Sequence, residues 1–563
     1  MNRIFKMIVL LICFVFISLV FSDAFARLKE VKEQKTRVEP IGSPQVLPFP
    51  QQRVHRVPQV NACMSNWGVM GSQMRDPQLP ESLGGCFMPN PDSEAIAPSF
   101  EFPAGSGLEY LFQGAIWIGA KINDTLYTSV GCDGWQWIYE LWPDSYPQGA
   151  IRERSTKPTV PCYSPDAISQ QDIIAVYTDT SVGTPPWDPI DNRPHHPLNV
   201  RITQKSYSWN IPGFDKFIIA EYVMKNIGNY LLSQIYIGFF MDTDIQYWAE
   251  SGYGPIYGAQ DDITGFLKVY NGDTVNIAWA ADNDGHGEMD GGEGTPYFTD
   301  KSPRSVIGMK VLHTPNPNLQ ISYNWWIPNQ NGSPRDWGPW KAANQAVWEA
   351  MNPYGSGNAF PDNVLGTPGG DVSKYFIMSN GEIDYDQIYS CVWPVWHPEE
   401  GWLPVNEQMC GDLANGYDTR FLFSFGPFDQ LAPGESLNFA VAFVIGETLH
   451  VDPRNLAHDP NMTHPDTFYA HLNFSSLVQN ALVAQELYND NFFVFFPGDV
   501  TSDQEVDISD VVCLLNYMFF GGPPPSPLKV GDVNRDCLVD LADAVYLINY
   551  LFLNGPPPQV GCA

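Results

Sequence analysis

The segment FIIAEYVMKNIGNYLLSQIYIGFFMDTDI, residues 217–245, reads as two strands around a turn at Gly228-Asn229. Both arms are rich in Ile, Val, Tyr and Phe, side chains that suit a pleated, half-buried surface. The turn holds Gly and Asn, which take up turn conformations at low steric cost. A second segment, FLFSFGPFDQLAPGESLNFAVAFVIGE at 421–447, repeats the pattern around Pro433-Gly434. Outward from these two, residues 61–466 alternate short aromatic and β-branched runs with Gly, Pro, Asn and Asp clusters. The expected class is therefore mainly β, a large sandwich-like body of antiparallel sheets. Helical periodicity is scarce before FYAHLNFSSLVQNALVAQELY at 468–488, where Leu472, Leu477, Leu482 and Leu487 suggest a helical connector over 467–494. A small all-α domain is expected at 495–563.

At the other end, Arg3 and Lys6 precede an uncharged apolar run, Met7–Phe21, and Ala24-Phe25-Ala26 follows. Residues 1–26 read as a signal peptide, too short in its apolar run for a membrane span of about 20 residues. Residues 27–60 mix charge and proline without apolar period and read as an exposed arm or linker. The expected location is secreted, with attachment at a cell surface open. The 63 acidic and 30 basic residues give a formal charge of −33. Such a surface repels nucleic acid and anionic lipid, and its natural small partner is a cation. With 44 % hydrophobic residues, the chain is globular material and not an acidic tail. Of ten cysteines, Cys13 leaves with the signal peptide. Neighbour pairing of the rest gives 63–86, 132–162, 391–410 and 537–562 and leaves Cys513, read as a buried apolar residue on a helix face in preference to an intermolecular link.

The tail says nearly the same thing twice, GDVTSDQEVDISDVVCLLNYMFFGGPPP at 498–525 and GDVNRDCLVDLADAVYLINYLFLNGPPP at 531–558, offset by 33 residues (532 − 499). Each copy fits a twelve-residue calcium loop with side-chain oxygens at positions 1, 3, 5, 9 and 12 and a backbone carbonyl at 7. The first set is Asp499, Thr501, Asp503, Glu505, Asp507 and Asp510. The second is Asp532, Asn534, Asp536, Leu538, Asp540 and Asp543. Alternate side chains turn inward in a tight loop, and carboxylates offset a hard cation's lost hydration. Val506 and Val539 at position 8 suit loops that pack together. A helix follows each loop, with apolar stripes of Val511, Val512, Leu515 and Met518, then Ala544, Val545, Ile548 and Leu551.

These residues resemble a type I dockerin domain, a pair of calcium-loop-plus-helix repeats similar to half EF-hands, over residues 497–563. The resemblance implies two bound Ca2+ and a cohesin-like or other extracellular protein as partner. This sequence departs from the family at position 6, where Gln504 and Cys537 replace glycine, and at position 3, where Thr501 is neutral. At positions 10 and 11 it has Ile508-Ser509 and Leu541-Ala542 in place of the Ser-Thr common in cohesin-recognising members. Cys537 is expected to pair with Cys562, pinning the Pro556–Pro558 tail across the domain and holding a loop that lacks its glycine.

In the body, ADNDGHGEMDGGEG at 281–294 fits the calcium template with Asp282, Asp284, Glu288, Asp290 and Glu293, although His286 at position 5 is a poor ligand for a hard cation, and the alternative is a flexible acidic hairpin tip. Asp242-Thr243-Asp244, at the end of the opening segment, reads as a solvated strand end in preference to a share in that ion or an ion of its own. The tryptophans cluster (Trp135, Trp137, Trp142; Trp325, Trp326; Trp337, Trp340; Trp393, Trp396, Trp402), which favours core and loop packing over glycan contact. His195-His196 reads as a turn. No HExxH, GxSxG or phosphate loop occurs, and Glu140, Glu399 and Glu400 carry no pattern that marks them as glycosidase acids. The expected function is a secreted calcium-binding protein whose tail docks a non-catalytic body to an extracellular partner or surface assembly. The alternative is a glycoside hydrolase or carbohydrate-binding component of a dockerin-assembled complex, that is, a hydrolase of O-glycosyl bonds if an enzyme at all.

Overall fold

A computed structural model describes residues 50–72, 85–87, 97–133, 139–180, 187–188, 193–248, 261–286, 296–328, 337–351, 366–405, 409–459, 462–492, 496–501 and 506–563. The signal-peptide segment and arm residues 27–49 lie outside the described residues. Two large sheets face each other, of eleven and nine strands among the described residues. Their central ladders are antiparallel, as the strand composition predicts.

The opening segment supplies one strand to each sheet. Phe217–Asn226 lies in the nine-stranded sheet and Leu232–Asp242 in the eleven-stranded one. The second segment does the same with Arg420–Leu431 and Ser436–Gly446. Each is thus an arch across the sandwich and not a hairpin. The two arches pair with one another: Ile219 stands opposite Ala442 in one sheet and Phe239 opposite Phe423 in the other. The period of two then sorts the side chains. Ile218, Ala220, Tyr222 and Met224 meet Ile235, Ile237, Phe239 and Met241 in the shared core, while Phe217 and Ile219 point outward.

Both outer faces are covered. Trp117, Phe240, Leu422 and Trp326 on the eleven-stranded sheet lie under Tyr375, Ile377 and Met378 of the helix Asp371–Ser379. The nine-stranded sheet lies under the helix Ser475–Asn489, through Leu477, Ala481, Ala484 and Leu487. Leu482 is exposed, because a leucine spacing of five drifts around a helix of 3.6 residues per turn. This helix, expected only as a connector, is therefore part of the body's wall. Residues 50–60, read as part of an exposed arm, belong to the body too: Gln52–His55 is a buried strand paired with Asn61–Ser65.

The tail continues the same outer cluster, with Val500, Val511, Leu514, Val530, Val533, Ala544, Leu547 and Val560 packed together. Its end rests on the body at Gly213, where a Cβ would stand 2.5 Å from a Val560 methyl. Lys529 pairs with Asp490 at the end of the covering helix. Disulfides join Cys391 to Cys410 and Cys537 to Cys562 as expected. Cys86 joins Cys162, which replaces the expected pairs 63–86 and 132–162. Neighbouring half-cystines fail here because Cys63 sits inside a buried strand and Cys132 in the tryptophan-rich outer core. Cys513 is half-buried against the tail's apolar cluster.

Candidate functional site

In the tail the two repeats fold alike. Asp507 and Asp540 cap the helices Ile508–Phe520 and Leu541–Leu553, accepting the backbone N–H of Ser509 and Ala542 at 2.7 Å each. Asp510 and Asp543 complete capping boxes by accepting from the N–H of Asp507 (2.8 Å) and Asp540 (2.9 Å). Their other oxygens reach back into the loops, Asp510 to the N–H of Thr501 (2.9 Å) and Asp543 to that of Val533 (2.8 Å). Position 12 thereby ties helix start to loop start in both copies. Asp503 and Glu505, with Gln504, lie outside the described residues.

The second loop is described throughout. Asp532 is fully buried, and its Oδ2 accepts N–H groups from Cys537 (3.1 Å), Cys562 (2.8 Å) and Ala563 (3.0 Å). Asn534 donates to Asp536 at 3.0 Å. Cys537 at position 6 has φ of +64°, the left-handed conformation that the missing glycine normally supplies. The sulfurs of Cys537 and Cys562 lie beside the Asp532 carboxylate, but as a disulfide they are not thiolate ligands. What remains is carboxylate, amide and carbonyl oxygen, a donor set that fits a hard cation.

The helix stripes need one correction. Val511, Leu514, Ala544 and Leu547 are the buried residues, while Val512 (58 % exposed) and Val545 (48 %) face out. Ile508, Val512 and Phe519 form an exposed apolar row on one helix, and Leu541, Val545, Ile548 and Phe552 form its counterpart on the other. Residues 497–552 match the family model of the dockerin type I domain. The tail is dockerin-like. No curated protein matches the chain, so the body has no family assignment, and the dockerin match covers only the C-terminal module. Dockerin domains bind calcium and cohesin-type partners and are typically extracellular. No helix among the described residues is long and apolar enough to cross a membrane.

In the body, Glu140 and Glu400 both bond to neighbouring side chains. Glu140 is buried, 3.0 Å from His195 Nδ1, and accepts the Val130 N–H at 3.0 Å. Burial pushes Glu140 up and His195 down, but their mutual attraction prevails and holds the carboxyl below its ordinary range and the imidazole above. His196 stacks on Tyr127. Glu400 accepts the indole N–H of Trp402 (2.6 Å) and Trp393 (3.1 Å). Trp325, Trp326, Trp337, Trp340 and Trp402 are buried, Trp142 and Trp393 are half-buried, and Trp396 is exposed. Trp135 and Trp137 lie outside the described residues.

Of the body calcium template, Asp282 and Asp284 are buried at the end of the strand Asp273–Asp282. Asp282 Oδ1 accepts the Asp284 N–H at 3.0 Å. His286 is turned to the Pro453 carbonyl, to which its Nε2 donates at 2.8 Å. Glu288, Asp290 and Glu293 lie outside the described residues. Asp242, Thr243 and Asp244 are buried, contrary to the solvated strand end expected. They meet Asp261 and Asp262, Asp282 and Asp284, and Asp418 and Arg420 from three other strand ends, a convergence that the sequence, with these acids scattered over some 180 residues (418 − 242 = 176), does not display. Arg420 pairs with Asp242 (3.1 Å) and Asp418 (3.1 Å). Burial lifts Asp242 to about 7 despite that guanidinium. It raises Asp244, Asp262 and Asp282 well above the carboxylate range, with neighbouring carboxylates adding to the rise.

Proposed function

We propose that this protein is an extracellular, non-catalytic component that docks its β-sandwich body into an assembly through the dockerin-like tail and a cohesin-type partner. The carrying observation is the pair of exposed apolar rows at matching offsets on the two helices, set on a module whose Val511, Leu514, Ala544 and Leu547 are buried. Exposed large apolar side chains in repeated register suit a protein interface more than bulk water. With Ile508 and Leu541 where recognition residues stand in the resembled family, the partner's face is apolar at those points.

Two calcium ions hold the surface in shape. Asp499, Thr501, Asp507 and Asp510 with Asp503 and the Glu505 carbonyl hold the first; Asp532, Asn534, Asp536, Asp540, Asp543 and the Leu538 carbonyl hold the second. The ions supply charge compensation for loops that otherwise crowd carboxylates, and so couple metal to the helices' orientation. Surface plasmon resonance of the full chain against a panel of cohesin modules tests this. Calcium-dependent binding is expected, abolished by EGTA and weakened at least tenfold in Val512→Asp/Val545→Asp. Binding indifferent to both, or none across the panel, overturns it.

A second reading rests on the exposed Trp396, whose ring meets Tyr389, with Trp393 also against Tyr389 and the exposed Glu399 three residues on. Flat aromatic faces with a nearby acid suit sugar rings. Retention of the full chain on insoluble glycans, lost in Trp396→Ala, supports a carbohydrate-binding body; no retention removes this reading.

A further inference from the structure

Four strand ends converge where Leu232–Asp242 leaves the eleven-stranded sheet. Gln113, Asp242 and Arg420 stand opposite one another across three neighbouring strands, so their side chains project from one face of the sheet. Oxygens of Asp242, Asp244 and Asp418 come within 4.8 Å of one another. With Arg420 as the guanidinium paired there, the charge is −3 + 1 = −2, inside a region where Asp242 is 1 % exposed.

Two of the polar side chains at this place carry atoms without hydrogen-bond partners among the described residues. Gln113 is 1 % exposed, and neither its Oε1 nor its Nε2 makes a hydrogen bond. Asp242 Oδ2 makes none either. Asp244 is buried beside them, 8 % exposed. Burying an amide without a partner is costly, and burying an unpaired charge costs more. The unpartnered carboxamide of Gln113 and the unpartnered Asp242 oxygen, beside the carboxylates of Asp244 and Asp418, make an oxygen donor set that suits a cation.

We infer that Asp242, Asp244 and Asp418, with the Gln113 amide oxygen, form a body site for one hard divalent cation of the calcium class, separate from the tail loops and from the Asp282–Glu293 template. The donors are all oxygen, as calcium and magnesium prefer over softer metals. A dication takes the formal charge of Asp242, Asp244, Asp418 and Arg420 from −2 to zero. Bound there, it ties the departing end of Leu232–Asp242 to the entry of Arg420–Leu431 and to the first residue of Gln113–Ile122, fixing one end of the sandwich independently of docking.

The test is equilibrium dialysis of the full chain carrying Asp499→Asn and Asp532→Asn, which weaken the tail loops, with calcium alone and with magnesium alone. About one calcium per chain is expected to remain, with at least tenfold weaker binding after further change of Asp244→Asn or Asp418→Asn. Gln113→Leu is expected to weaken it less. A rise in the thermal midpoint of the β-rich far-ultraviolet signal with calcium should follow the same order. Near-ultraviolet circular dichroism checks that each variant is folded; where Asp418→Asn fails that check, Asp244→Asn alone decides. No residual uptake in the folded tail variant overturns the inference, because protons then neutralise the group. Uptake that survives Asp244→Asn and is lost in Asp284→Asn also overturns it, by assigning the ion to the neighbouring loop.

Discussion

At the residue scale, two buried positions yield sharp expectations. His55 is fully buried between the hydroxyls of Ser208 and Ser206, each 2.8 Å from a ring nitrogen, and burial holds it down at about 3. The unfolded chain protonates this imidazole near about 6.5. Stability from a base with a depressed folded value is therefore complete above about 6.5 and is lost as pH falls toward 3, at about 1.4 kcal/mol per pH unit. The gap in urea midpoint between wild type and His55→Gln should shrink between about pH 7 and about pH 4.5; a constant gap contradicts this. Cys537 combines a disulfide with a left-handed backbone. Opening the 25-residue separation to Cys562 should cost about 3 kcal/mol. Cys537→Gly loses the same bond but relieves about 1–2 kcal/mol of backbone strain, so calorimetry should find Cys562→Ala the more damaging change.

At the element scale, the covering helix separates what its leucines do. Leu477 is fully buried against the nine-stranded sheet, and Leu482 faces solvent. Leu477→Ala should destabilise by about 2–5 kcal/mol and Leu482→Ala by under about 0.5 kcal/mol in chemical denaturation. Equal effects would mean the helix is not seated as described. The sequence reveals such elements unevenly. Strands were legible from composition and turns, and the tail from its duplication, since a repeat carries its own control. The helix Asp371–Ser379 was not legible: nine residues containing Tyr, Phe and Ile resemble another strand, and only the tryptophan face beneath makes them helical. The arches were half legible. Gly228-Asn229 marks a turn, but whether its arms pair or part depends on strands about two hundred residues away (442 − 219 = 223). The buried acids were misread for the same reason, because Asp242-Thr243-Asp244 is a surface signal until Asp418, Arg420 and Gln113 enclose it.

At the scale of the whole molecule, a formal charge of −33 acts on every part of the fold. Self-repulsion of this size should be relieved by screening. The thermal midpoint should rise as sodium chloride goes from about 20 mM to about 200 mM. Calcium at equal ionic strength should raise it further, since it also occupies sites; identical curves for the two salts would exclude specific binding.

The crossed arches also set a timetable. Phe217–Asn226 has its neighbour in Ser436–Gly446, so a growing chain cannot finish that ladder until more than two hundred further residues have been made. Because distant pairings form slowly, the nascent polypeptide stays open for most of its synthesis. Its apolar strands then need chaperone cover, and any truncation before residue 436 should leave an aggregating fragment in place of a smaller sandwich.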